Sequence, residues 1–173
     1  MLTEIAEIGR KEIIRVPEWV NRRLEDAVRS ANKDADLAPA MLTLQIVNED
    51  QTLERKAQRI INRCYRQAFD IDCDLVRRIE SLHTAVTCCD YVSRFSIRKV
   101  AALWNELSSQ FLSSSKNLKP KQIFQMLEIA NECEDYAAIS AESKNALKQR
   151  LENLSYSGSI EAMAYYNLAG LRF

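Results

Sequence analysis

The chain has 173 residues and a mass of 19.9 kDa, enough for one domain whose core needs no disulfide or metal staple. Three glycines and three prolines are too few for the many tight turns of a β-sandwich, or for a Gly-rich phosphate cradle. Hydrophobic residues at 47% and charged residues at 28% make a globular composition, and 24 basic against 24 acidic side chains leave no net charge that would announce nucleic acid or an anionic membrane.

The opening Met1-Leu2-Thr3-Glu4-Ile5 brings an early acid and no apolar run ending in a cleavage site, so no secretory signal is expected. No apolar stretch approaches the roughly 20 residues that span a bilayer, and Val100 to Trp104 is among the longest. The five cysteines, Cys64, Cys73, Cys88, Cys89 and Cys133, are odd in number, and two are adjacent. They read as small buried apolar residues in a reducing, cytoplasmic compartment. With no C-x-x-C and a single histidine, neither zinc nor any cofactor is expected.

Helical periodicity dominates the chain. A short helix is expected over Thr3 to Arg15. Pro17 suits a first helical position, and Val20, Leu24, Ala27, Val28 and Ala31 then recur on one face. Asn32 to Ala40, with its charges and Pro39, reads as a loop. Leu42, Leu44 and Ile46 alternate as a strand would, so Met41 to Val47 is expected as a short buried helix or an extended segment. Asn48 and Gln51 form a capping pair for a long helix to about Phe69, with Leu53, Ala57, Ile60, Cys64 and Ala68 inward.

The next helix is expected from about Cys73 to Arg94, with Leu75, Ile79, Leu82, Val86 and Cys89 inward. Ser96 caps a helix striped by Ile97, Val100, Trp104, Leu107 and Phe111. Ser113 to Asn117 reads as a surface loop, and a subdomain break could fall at 113–119. Pro120 opens a helix with Ile123, Leu127 and Ala130 inward; another carries Leu147, Leu151 and Leu154 to a break at Ser157-Gly158. The last spans about Ser159 to Ala169, with Gly170 as its stop. The fold class is all-α, a single-domain bundle of about seven helices over residues 1–173.

Arg55, Arg59, Arg63 and Arg66, spaced four, four and three, fall within roughly 80° around their helix, opposite its apolar stripe and flanked by Lys56. Guanidinium forks aligned in this way suit phosphates or carboxylates. The favoured reading is a solvated or internally paired face; an acidic protein partner and nucleic acid are the alternatives. Asp70-Ile71-Asp72-Cys73-Asp74 opens like a calcium loop, but Leu75 stands where the turn needs glycine and Ser81 where glutamate should bind. Helix capping is the expected role of these acids.

Arg78-Ile79-Glu80-Ser81-Leu82-His83 resembles the R-x(4–6)-H signature of the HEPN superfamily, all-α bundles that include metal-independent ribonucleases. The resemblance spans these six residues. It implies RNA cleavage at a dimer interface by Arg78 (or Arg77) and His83. Read from the helix alone, His83 is a partly buried, hydrogen-bonded side chain between Ile79 and Val86. Cys88 and Cys89 fall on another side of that helix, where no thiol–imidazole pair can form.

From Ile160 to Phe173 the chain is apolar nearly all round. Such a helix is either threaded through the bundle centre or partly an interface. Central burial is favoured; otherwise Met163, Tyr165, Tyr166 and Phe173 are the contact residues. The function expected is a non-catalytic protein-interaction module: an adaptor, a regulator, or a small inhibitor of viral or pathogen origin. Its expected partners are proteins, a second copy of the chain included. The alternatives are an RNA- or DNA-binding bundle and, less favoured, a HEPN-like ribonuclease. No membrane contact is expected.

Overall fold

The computed structural model describes residues 17–31, 33–48, 51–113 and 119–172. The expected helix over Thr3 to Arg15, the contact residue Phe173 and the loop residues 114–117 lie outside them. The protein is an all-α helical bundle. Among the described residues there are eight α-helices, one 3-10 turn and no strand. They are α1 (Glu18–Ser30), α2 (Asp34–Asn48), α3 (Gln51–Ala68), α4 (Leu75–Thr87), α5 (Ile97–Ser113), α6 (Pro120–Glu134), α7 (Ala141–Tyr156) and α8 (Ile160–Arg172), with the turn at Cys89–Tyr91.

The segment 41–47 is helical, so the extended alternative is set aside. Met41, Leu42, Thr43 and Leu44 are all buried, because α1, α3 and α4 cover different sides of α2. Apolar alternation there reflects burial on more than one side, not a pleat. The helix also begins earlier than the sequence suggests, at Asp34, and runs straight through Pro39.

Proline inside a helix removes the N–H that would bond the carbonyl four residues back, here that of Ala35. That carbonyl accepts instead from the Thr84 hydroxyl of α4 at 3.2 Å, while Thr43 Oγ1 donates to the Pro39 carbonyl at 2.9 Å. The replacement donor stands 49 positions along the chain, where no local signal could reveal it.

Helix α4 is the central element, touching α2, α3, α5 and α6. It starts where Asp74 accepts the Arg77 N–H at 3.0 Å. Its buried face carries Ile79, Leu82, Ala85 and Val86, but also Arg78 and Glu80. Buried charge needs partners. Glu80 receives Lys33 Nζ at 2.7 Å and Gln122 Nε2 at 3.3 Å. Arg78 donates through Nε to the Ala68 carbonyl, at the end of α3, and through Nη2 to Glu106 of α5, both at 3.1 Å. Together they tie α2, α3, α5 and α6 to one axis.

Helix α4 stops at Thr87 instead of reaching Arg94. Asn62 of α3 donates from Nδ2 to the Tyr91 carbonyl at 3.0 Å and accepts the Ser93 N–H at 3.0 Å. Those two bonds hold residues 91–93 out of helical register. On the far side, Val100, Trp104, Leu107 and Phe111 of α5 pack with Ile123, Met126 and Leu127 of α6, and Trp104 Nε1 donates to the Met126 carbonyl at 2.7 Å.

Ser140 caps α7. Gly158, at φ +86°, makes the reversal into α8 that an L side chain would resist. Gly170 does not stop α8; it lies within the helix, which continues to Arg172.

Candidate functional site

The basic face of α3 is solvent-exposed as the periodicity implies, with Arg55, Lys56, Arg59, Arg63 and Arg66 all outward. It is not a uniform ridge. Arg63 Nε lies 3.0 Å from Asp34 Oδ2 at the start of α2, so the middle cation is already neutralised. Arg59 and Arg66 instead meet Arg94, from the loop after α4, around an open groove of about 600 Å³ also lined by Gln58, Asn62, Tyr65 and Ser93. Arg55 and Lys56 lie outside it.

Among the described residues no carboxylate lines this groove, and none pairs with Arg59, Arg66 or Arg94. Arg66 Nε donates to the Asn62 carbonyl at 3.3 Å, and among the described residues its terminal nitrogens have no acceptor. The Tyr65 ring packs edge-on to Phe69 and against Phe95, and its hydroxyl is buried with no hydrogen-bond partner among the described residues. Sequence reasoning missed Arg94 because it expected a helix there. The signal lay in Asn62, whose amide pins the loop, but nothing in the sequence shows what that amide bonds.

The second surface is α8, and here the favoured expectation of central burial fails. Ala162 and Ala169 are buried, but Ile160 is 84% exposed, Met163 48%, Leu168 42% and Tyr166 37%. The small alanines let the helix lie close against α6 and α7, and Tyr165 packs on Phe124 with ring centroids 5.1 Å apart. Tyr165 is therefore an anchor, half-buried, and not an outward contact residue. Covering one side sufficed; no further helix among the described residues closes over the other.

Beside α8 runs a groove of about 650 Å³, lined by Leu127, Leu151, Tyr166, Ala169 and Gly170, with Lys148, Glu152 and Asn167 completing its wall. Glu152 accepts the hydroxyls of both Tyr156, at 3.5 Å, and Tyr166, at 3.3 Å. Its negative charge raises the Tyr166 phenol above its ordinary pKa.

Arg78 and His83 are not brought together. Arg78 is a buried clamp facing α3 and α5, with a side chain only 6% exposed, whereas His83 is half-buried against α6, its Nε2 2.8 Å from Glu128 Oε2. Five residues on a continuous helix rotate the two by roughly 140°. Arg77 is exposed and lines a separate cleft of about 380 Å³. There the Lys33–Glu80 and Arg63–Asp34 pairs already satisfy much of the charge.

Burial disfavours the thiolate of the enclosed cysteines. Burial pushes Cys64 up to about 12 and Cys133 up to about 11, and it is the main cause of the rise at Cys88. Asp70 bonds the Asp72 N–H and Asp74 caps α4, the structural duties the acidic run suggested. Among the described residues no three His, Cys, Asp or Glu side chains converge as metal ligands, and no helix is long and apolar enough to cross a membrane. Comparison with protein families, with curated proteins and with solved structures finds no match.

Proposed function

We propose that this protein is a non-catalytic protein-interaction module that docks a partner protein on the outward face of α8. The support is the apolar character of that face. Ile160, Met163, Ala164 and Leu168 recur at i, i+3, i+4 and i+8, and all four are exposed. Anchors at this spacing are what a helix offers to an apolar groove. Scattered apolar side chains on a surface need no explanation, but a contiguous set along one helix marks a contact site. Tyr166 and Tyr156, both bonded to Glu152, extend the patch with broad rings of restricted motion.

The test compares the wild type with the double variant Met163→Glu/Leu168→Glu, as bait in affinity capture and by sedimentation velocity. Both positions face solvent, so the variant should melt with the wild type while losing its captured protein. A partner that is a second copy would appear instead as a dimer that the variant dissociates. If both proteins retain the same partners and sediment as the same species, the proposal is refuted.

A further inference from the structure

We infer that the groove between Arg59, Arg66 and Arg94 binds the phosphate of a phosphorylated side chain on a partner protein. This rests on the protein-binding reading above but uses a surface separate from α8. Three arginines from two elements line one groove, and among the described residues no carboxylate lines it with them. Arg63, on the same helix, is instead paired with Asp34.

Part of the groove is held to α3 by hydrogen bonds. Asn62 holds the Arg94 loop by two hydrogen bonds, and Arg66 is oriented by its own bond to the α3 backbone. A site prepared in this way spends little entropy on binding. Tyr65 contributes to the lining.

The arrangement favours a monoester over a nucleic-acid strand. A phosphorylated side chain carries about −1.5 to −2 charge and three strong acceptor oxygens on one atom, which several arginines around one groove can share. A polynucleotide needs cations repeated along a track. Here the track is interrupted at Arg63 by Asp34, and the whole chain carries no net charge.

The experiment is fluorescence anisotropy with a labelled pool of short peptides bearing a central phosphoserine, its unphosphorylated counterpart, and a single-stranded RNA. The phosphorylated pool should bind and be displaced by inorganic phosphate. Arg59→Gln or Arg94→Gln should weaken it roughly tenfold or more each, since hydrogen bonds to charged groups are among the strong ones. Arg55→Gln, on the same helix but outside the groove, should leave binding unchanged.

Met163→Glu/Leu168→Glu should also leave it unchanged, so that a failure of the α8 reading is seen separately from a failure of this one. Circular dichroism of each variant guards against misfolding. Equal affinity for the two peptide pools, or no binding of either by folded protein, overturns the inference. So does RNA binding in preference to phosphopeptide that falls equally with Arg55→Gln and Arg59→Gln.

Discussion

The passage of α2 through Pro39 yields the sharpest test of how this fold is held. The Ala35 carbonyl, deprived of its helical donor, takes the Thr84 hydroxyl proton at 3.2 Å. Thr84 Oγ1 is also 3.0 Å from the Glu80 carbonyl, but that oxygen is positioned to receive the Thr84 N–H within α4, so the hydroxyl is needed most by Ala35. Thr84→Val keeps the shape and removes the donor. Leaving a carbonyl unsatisfied costs about 1–3 kcal/mol, and the low end applies because Ala35 is only partly buried. About 1–1.5 kcal/mol is expected, a fall in Tm of roughly 2–5 °C for a chain of this size.

Pro39→Ala restores the missing N–H, and with it an intrahelical partner for Ala35. In that background Thr84→Val should cost under about 0.5 kcal/mol, so a double-mutant cycle in urea should return a coupling near 1 kcal/mol. Equal costs of Thr84→Val in the two backgrounds would refute the assignment of Thr84 as the surrogate donor.

Four further outcomes are expected. Arg78→Met should destabilise by about 2–3 kcal/mol in urea melts, because it strips the Ala68 carbonyl of its donor and α3 and α5 of their shared clamp; a change within about 0.5 kcal/mol would show that the clamp contributes little. Because Cys64 and Cys133 have raised folded-state pKa values, their contribution to stability is full below about pH 9 and is lost as pH rises through about 11 and 12. Urea midpoints between about pH 8.5 and 10.5 should therefore fall less steeply in Cys64→Ala/Cys133→Ala than in the wild type, and a thiol reagent should label Cys73 and Cys89 of the native protein well before Cys64, Cys88 and Cys133. Gly170→Ala should raise thermal stability by about 0.5 kcal/mol, since a Cβ there meets nothing within 4 Å and the helix continues past it; a loss would mean that Gly170 ends α8 after all.

Arg94 shows why the candidate anion site could not be assembled by reading along the chain. Arg59 and Arg66 share a face of α3 by periodicity alone, and any sequence reading finds them. Arg94 joins them only because Asn62 captures Tyr91 and Ser93 and so ends α4 early. Arg63 leaves the set only because the start of α2, and not a loop, brings Asp34 beside it. Both events are contacts between elements, and neither leaves a mark on the local pattern.

The stripes of α3, α5 and α6, the cap at Asp74, the proline opening α6 and the glycine reversal at Gly158 follow from the sequence by itself, because period and capping are properties of neighbouring residues. They determine an all-α bundle. Tertiary structure alone decided that Pro39 lies inside a helix, that Arg78 is a structural clamp turned away from His83, and that α8 keeps an apolar side in solvent. Each of these turns on whether a distant group supplies a hydrogen bond, a counter-charge or a covering surface. A helix carries the same residues whether or not that group is there, and only the packed fold determines which faces are closed and which remain open to a partner.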